Sequence, residues 1–546
     1  MPLSWTPGST FPPRPDPSRF VRYYSSIALG LLAACTGREP CTTCDTITIA
    51  AVGEPGSLLP PLVQETVGRD ISDQIYERLA DLRPGGSPLD PAAYRPVLAE
   101  RWERADSLAW RFHLRPNARW HDGRPVTSED VRFSFEAFAD STLGAPARPA
   151  IAGHLEVVPE DSATFLVRFA EPSPEQLYDA TYHVRILPRH MWESEPRERW
   201  GSDTSVARLV GSGPYRPVRW VRGQFVELAA VTGDRPAPAI RRALWRFTAD
   251  PDAALNLLLS HEADALETAI GPERARRAAA DTSLRSVPYP SAAFGFVGLN
   301  LRNRRSPLAD RETRRGLALA TDRTTLARSV FGADTKAPPG PMSQLLWIWD
   351  DSIPVLPFDR PAAERALAIA GWRRDGRDVL RRGGRPLAID ILVPNTSGSR
   401  RRLAEQLQQQ WGQAGAQVTV TAVDFPVFQE RLAAGRFEAY IGAWLDEPSA
   451  RAIADQWTRA GWDGVNYGHY ASAAFDSLLA AALREQRPAD AGALYRKAVA
   501  TLNADAPAIF LYAPYNTAVV SRRVAEFEID PFSWAAGLRT WRLTDR

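Results

Sequence analysis

Residues 387–423 constrain the fold more than any other stretch. Leu387 to Val393 reads as an apolar strand, Arg401 to Ala414 as a helix stopped by Gly415, and Gln417 to Val423 as a second strand. A strand, helix and strand joined this closely lie in one sheet only as a parallel pair with a right-handed crossover. The chain is therefore α/β, and its other segments are read around that unit.

Upstream, Thr46 to Val52 alternates as a first strand and is broken by Gly53-Glu54-Pro55-Gly56-Ser57. Ile71, Ile75 and Leu79 share one face of a helix expected over Asp70–Leu82. Trp110–Leu114, Thr164–Phe169, Arg216–Trp220 and Gln224–Leu228 read as strands. Thr127-Ser128-Glu129-Asp130 forms a capping box before a helix over Val131–Phe138. Downstream, Phe294–Asn300 is an apolar strand containing glycines. Asp310 and Asp322 cap successive helices, and Pro361–Ala370 is a helix stopped by Gly371. Phe425–Ala434, Phe475–Ala482 and Ala491–Leu502 are helices; Phe437–Trp444 and Ile509–Tyr512 are strands. Two α/β regions of roughly 200 residues follow one another with no Gly/Ser-rich linker, which suggests lobes joined by crossing strands.

The N-terminus sets the compartment. Leu32-Ala33-Ala34-Cys35 follows the apolar run Ile27 to Leu31, with Arg19 and Arg22 upstream. That is the layout of a secretory signal peptide with small residues before the cleavage site. A cysteine directly after the site suggests a lipoprotein, with Cys35 taking the lipid. The apolar run of about ten residues is too short to cross a bilayer, which needs about 20, so the chain is anchored rather than spanning. Residues 1–34 are then leader and signal peptide, and 35–46 a lipidated tether. Cys41 and Cys44 sit in that tether as Cys-x-x-Cys. The flexible setting favours a local disulfide or free thiols over redox or metal chemistry.

Composition narrows the function. The formal net charge is +2, which gives no electrostatic case for nucleic acid. No phosphate loop, dinucleotide fingerprint, nucleophile elbow or H-E-x-x-H motif occurs, and no histidines pair at i, i+4. No catalytic residue, metal or cofactor is expected. What stands out is aromatic: of 17 tryptophans, Trp347, Trp349, Trp444, Trp457 and Trp462 fall in segments able to line a pocket.

Several segments in order resemble one family. They are Leu98-Ala99-Glu100-Arg101-Trp102-Glu103, then Trp110–Arg115, then Trp120-His121-Asp122-Gly123-Arg124-Pro125-Val126-Thr127 running on to Phe135. Gly211-Ser212-Gly213-Pro214-Tyr215, Leu299-Asn300 with Pro307–Leu317 and Ala320-Thr321-Asp322-Arg323, and Asn466–Tyr470 with Phe475–Leu479 complete the pattern. Together they resemble the family 5 extracellular solute-binding proteins, the peptide/nickel receptors of ABC importers, from about residue 46 to 520.

The resemblance implies a two-lobed periplasmic-binding-protein clamshell of type II with an extra inserted subdomain. Lobe I would comprise 47–85, 200–293 and 511–546, the inserted subdomain 86–199, and lobe II 294–510. Strands near Phe294–Leu299 and Ile509–Tyr512 would cross between lobes, and closure would bury the ligand. The loop Glu54-Pro55-Gly56-Ser57-Leu58 matches the family's first cleft loop, which implies Glu54 and Ser57 as ligand neighbours. Phe294, Trp347 and Trp444 are the candidate aromatic walls. Asp446, in Gly442-Ala443-Trp444-Leu445-Asp446-Glu447-Pro448, matches the aspartate that pairs with a peptide α-amino group. The expected partners are an oligopeptide or similar small solute, ABC permease subunits, and a bacterial membrane reached through Cys35. The expected location is extracytoplasmic and the expected state a monomer. The competing readings are an extracellular hydrolase or a ligand sensor on the same scaffold.

Overall fold

The computed structural model describes residues 45–202, 205–233, 236–269 and 271–544. Cys35, Cys41 and Cys44, with the leader and most of the tether, lie outside the described residues. Two sheets organise the rest. The first has seven strands in the order Leu284–Pro290, Tyr515–Ser521, Ala265–Leu266, Thr46–Val52, Arg242–Thr248, Phe225–Ala230 and Tyr215–Val221. The second has five, in the order Gln417–Val423, Ala388–Pro394, Ala439–Leu445, Ala293–Leu299 and Ala508–Tyr512. A separate four-stranded sheet, Ala99–Asp106, Ala109–Leu114, Thr164–Phe169 and Leu155–Pro159, is an antiparallel insertion in the first lobe.

The crossover expected from residues 387–423 is present. Ala388–Pro394 and Gln417–Val423 pair in parallel, joined by helix Gly398–Gln413, which Ser397 caps. Gly415 takes φ +97°, the left-handed conformation that ends the helix without a Cβ penalty. The central strand Ala293–Leu299 shows period-two burial that works on both faces. Phe294 and Phe296 enter one core with Phe510, Met342, Trp457 and Tyr495. Val297 and Leu299 enter another with Ile391, Ile441, Leu407 and Trp411. The lobe is thus a three-layer sandwich with helices on both faces, as a mostly buried α/β sheet requires.

The first lobe follows the same logic. Ile47, Ile49 and Trp245 face one core, while Ala50, Leu255, Leu266 and Val519 face the other. Trp534 and Trp541 from the C-terminal segment fill the first of these. Helix Ser128–Ala139 opens with the expected capping box: Thr127 accepts from the Asp130 N–H, and Asp130 accepts from the Thr127 N–H. It splits its side chains between two cores, with Phe133 in the main lobe and Val131, Phe135 and Phe138 in the insertion.

Two expectations change. The helix expected over Asp70–Leu82 is Thr66–Ile75, and Ala80–Leu82 is a strand. Gly213 donates its N–H to the Ile75 carbonyl at 2.8 Å, taking the helix's last acceptor, and Tyr76 turns extended. Leu79 keeps its apolar role in the insertion's core instead of on a helix face. The strands Ala293–Leu299 and Ala508–Tyr512 lie wholly within the second sheet. The chain changes sheets just outside them, at Ser291-Ala292 and Ala513-Pro514.

Close approach explains two glycines of the central strand. A Cβ at Gly298 would stand 2.3 Å from the Tyr440 ring, and one at Gly295 would stand 2.1 Å from the Tyr512 ring. Gly298→Val is expected to cost about 1–3 kcal/mol through overpacking. Chemical denaturation checks this, with Gly435→Ala, at a positive-φ surface turn, as a comparison of different cause. An unchanged midpoint in Gly298→Val refutes the packing account.

Candidate functional site

Both sheet-to-sheet crossings are antiparallel neighbours, and their linkers are tied together. Ser291 N–H donates to the Pro514 carbonyl at 3.0 Å. Ala513 N–H donates to Lys336 O at 2.8 Å, while Gln344 Nε2 donates to Ala513 O at 3.3 Å and accepts through Oε1 from Tyr515 Oη at 3.2 Å. The hinge is completed by Asp446, whose N–H donates to the Ala292 carbonyl at 2.8 Å.

Asp446 follows strand Ala439–Leu445, which pairs with Ala293–Leu299 so that Phe294 stands opposite Trp444. Its carboxylate is 8% exposed and accepts the Ser343 N–H at 2.6 Å. No cation among the described residues lies against it. Burial pushes its pKa up to about 7, and the Ser343 hydrogen bonds recover only part of that cost. A carboxylate in this condition is poised to accept a positive charge.

The other candidates divide. Trp444 is half-buried and stacks on Tyr467 with ring centroids 6.5 Å apart. Trp347 lies on the segment that Ser343 ties to Asp446; its ring packs edge-on against Tyr495, and its indole N–H is buried with no hydrogen-bond partner among the described residues. Phe294 is no cleft wall: it is fully buried among Phe296 and Phe510, because its position in the strand alternation points inward. Glu54 is spent elsewhere. Its Oε1 accepts from Trp220 Nε1 at 2.9 Å and Arg222 Nη1 at 3.2 Å, and its Oε2 from the Gly223 N–H at 2.8 Å, so it braces a hairpin turn. Ser57 Oγ accepts the Leu59 N–H at 3.1 Å and shapes its own loop. Trp444 and Asp446 are two residues apart in the second lobe, Trp347 packs against Tyr495 of helix Pro488–Asp505 in the same lobe, and Glu54 and Ser57 lie in the first.

Across from Asp446 the two lobes meet. A cavity of about 50 Å³ is lined by Leu345 and Pro448 from the second lobe and by Arg69, Arg78, Tyr182 and Ser533 from the first. Beside it, Ser449 Oγ donates to Glu175 Oε2 at 2.6 Å, and Tyr178 Oη donates to Glu447 Oε2 at 3.4 Å. Arg451 makes a two-pronged pair with Asp179, one bond at 3.0 Å, and stands 5.7 Å over the Tyr178 ring. The sequence carries no local sign of this group, since its members stand about 270 residues apart.

A hollow of about 430 Å³ lies elsewhere, between loop 117–123, residues 212–214 and residues 231–233, 236 and 238. His121 at its wall is structural. Its Nδ1 accepts the Gly211 N–H at 3.1 Å and its Nε2 bonds Gly213 O at 3.1 Å, pinning two of the signature segments together. Burial drops its pKa to about 4, so the ring is neutral at pH 7.

This arrangement, with two sheets joined by paired crossings and an insertion in the first lobe, defines a two-lobed clamshell. The family described as bacterial extracellular solute-binding proteins, family 5, matches residues 93–464. The chain belongs to that family. It is 27% identical over 449 residues to a putative ABC transporter peptide-binding protein of Brucella ovis, covering 79% of each chain. It is 24% identical over 543 residues to the periplasmic oligopeptide-binding protein OppA of Salmonella typhimurium, covering 91% of this chain and 94% of that one. Among solved structures, Bacillus subtilis AppA in complex with a nonapeptide superposes with a TM-score of 0.72 at 20% identity, covering 92% and 99% of the two chains. The Listeria monocytogenes substrate-binding protein CtaP superposes at 0.79 with 19% identity, over 92% and 99%.

The raised pKa of Asp446 makes stability depend on pH. Between about pH 4 and pH 7 the folded carboxyl keeps a proton that the unfolded chain releases. The contribution of this group is therefore full below pH 4 and is lost as pH rises through about 7. Without ligand, the stability of the wild type relative to Asp446→Asn should fall by up to about 4 kcal/mol from pH 4 to pH 8. Denaturant titrations at four pH values read this difference, and parallel profiles for the two proteins contradict it.

Proposed function

We propose that the protein is an extracytoplasmic receptor. It binds a peptide or similar small solute with a free amino group between its lobes and delivers it to an ABC importer permease. The carrying observation is Asp446: a buried carboxylate with no cationic partner among the described residues, hydrogen-bonded through its backbone to one crossing and followed directly by Glu447, which bonds Tyr178 of the facing lobe. A ligand ammonium there offsets the desolvation that raises the group's pKa, through a charge-assisted hydrogen bond worth about 1.5–3 kcal/mol. Trp444, two residues before it, supplies flat apolar surface. The relatives named as peptide-binding proteins favour a peptide over other amines. Closure around the ligand is a population shift, so no bond need be made or broken, and the protein acts as a receptor rather than an enzyme.

Calorimetry with short peptides tests this reading. The ammonium is expected to bind the ionised carboxylate, so at pH 6 binding should release nearly one proton, since the carboxyl titrates at about 7, and at pH 8 it should instead take up about half a proton, since the free α-amino group titrates near 8. Asp446→Asn should weaken binding by about tenfold to 150-fold and abolish the proton release. N-acetylated peptides should bind the wild type equally poorly. Equal affinity for free and acetylated peptides overturns the role of Asp446, and recovery of cleaved peptide overturns the receptor reading.

The lipid on Cys35 belongs to the same proposal: it keeps the receptor beside its permease. Cys35→Ala is expected to move the protein from the membrane fraction to the soluble fraction, as read by fractionation and immunoblotting. Retention in the membrane fraction argues against that anchor.

A further inference from the structure

The lobes are built on separate hydrophobic cores, and the contact described above joins them through polar groups. Tyr178 and Leu177 belong to the core of the insertion, whereas Ala450 and Ile453 belong to a core of the second lobe. Between these cores, every second residue of the segment after Glu447 reaches across. Glu447 accepts from Tyr178, Ser449 donates to Glu175, and Arg451 pairs with Asp179 while its Nε lies 3.5 Å from Glu175. Glu175, Asp179 and Ser449 are all buried in this conformation.

The landing surface is built before Arg451 arrives. Tyr178 stacks on Tyr182 with centroids 4.7 Å apart, and Arg78 sits 5.2 Å over the outer face of Tyr182. Arg78 is held in turn by Asp73 and Asp81, both at 3.5 Å, and Asp73 also takes a two-pronged pair from Arg185 at 2.7 and 3.1 Å. His183 packs edge-on to both tyrosines and lies near Asp179. The Tyr178 ring that Arg451 covers has two carboxylates, Glu175 and Asp179, beside it, which suits a planar guanidinium. Every charge in the contact regains water if the lobes part, so the contact is separable, as a buried apolar seam would not be.

We infer that Arg451 is the positioning residue of an interlobe latch. Docked on Asp179, Glu175 and Tyr178, it holds the lobes closed around the cleft. Arg451 stands five residues after Asp446, so the residue proposed to take the ligand's charge and the residue that fastens the lobes share one short loop. Occupancy of Asp446 and engagement of Arg451 therefore favour the same closed state, and the latch lowers the share of closure that the solute must supply. This inference rests on the two-lobed solute receptor but not on the solute being a peptide.

Small-angle scattering of the purified chain without ligand tests it independently of the solute. Arg451→Ala should shift the population to a more open form with a larger radius of gyration, and Ser449→Ala should shift it less. The exchanged pair Arg451→Asp with Asp179→Arg should return the curve toward wild type, which loss of a merely structural residue would not allow. Circular dichroism confirms folding; if Arg451→Ala does not fold, Ser449→Ala, which removes the hydrogen bond to Glu175 and the acceptor of the Arg451 N–H but leaves the Arg451 guanidinium, carries the comparison. Curves of folded Arg451→Ala or Ser449→Ala superimposable on wild type overturn the latch, as does an exchanged pair as open as Arg451→Ala.

Discussion

Two neighbouring backbone crossings hold this architecture together. The chain leaves the first sheet through Leu284–Pro290, enters the second as Ala293–Leu299, and returns through Ala508–Tyr512 to Tyr515–Ser521. Because each pair is antiparallel within its own sheet, the two linkers run side by side and can be bonded to one another, as Ser291 and Pro514 are. Such a joint permits rotation about one axis while resisting shear, since sliding breaks ladder bonds in both sheets at once. The two lobes, the place where they face one another, and the position of Asp446 all follow from that joint.

Asp446 shows how the joint becomes a site. Its backbone is bonded to the crossing and its side chain to Ser343, so it cannot swing out to water when the lobes close. Its carboxyl is destabilised by burial, and a ligand charge relieves the cost. The latch has the opposite character: its carboxylates already have their cation in Arg451, brought from the facing lobe. One group has no cation against it among the described residues and is proposed to take one from solution; the other receives one from the protein itself.

Much of the fold was legible because it is written locally. The capping box at Thr127, the caps at Asp310 and Asp322, and the crossover over residues 387–423 depend on residues within about 40 positions of each other, and all formed as expected. The helix over Asp70–Leu82 ended early because its last acceptor is taken by Gly213, about 140 positions away and invisible to periodicity. Among the site candidates, Asp446 was singled out by its motif, and the role proposed for it rests on its burial and its bond to Ser343. Phe294 was misplaced because an apolar residue in a strand has the same signature on either face. Glu54 lies in the expected loop, but its oxygens were claimed by Trp220, Arg222 and Gly223, which only the folded hairpin brings near. The latch had no signature at all, since a lone arginine and two acids resemble any solvated surface.

The position of the last strand and the two tryptophans after it has a consequence for biogenesis. Tyr515–Ser521 lies between Leu284–Pro290 and Ala265–Leu266, and Trp534 and Trp541 fill the same core as Ile47 and Ile49. The lobe that begins the chain is thus finished by the segment that ends it. While the ribosome is still making the second lobe, the first has an open sheet edge and a core lacking two indoles, so it stays short of its native state until Tyr515–Ser521, Trp534 and Trp541 are made. A nascent polypeptide that settles late stays threadable, the condition needed for passage through a narrow export channel before it takes up its working form outside.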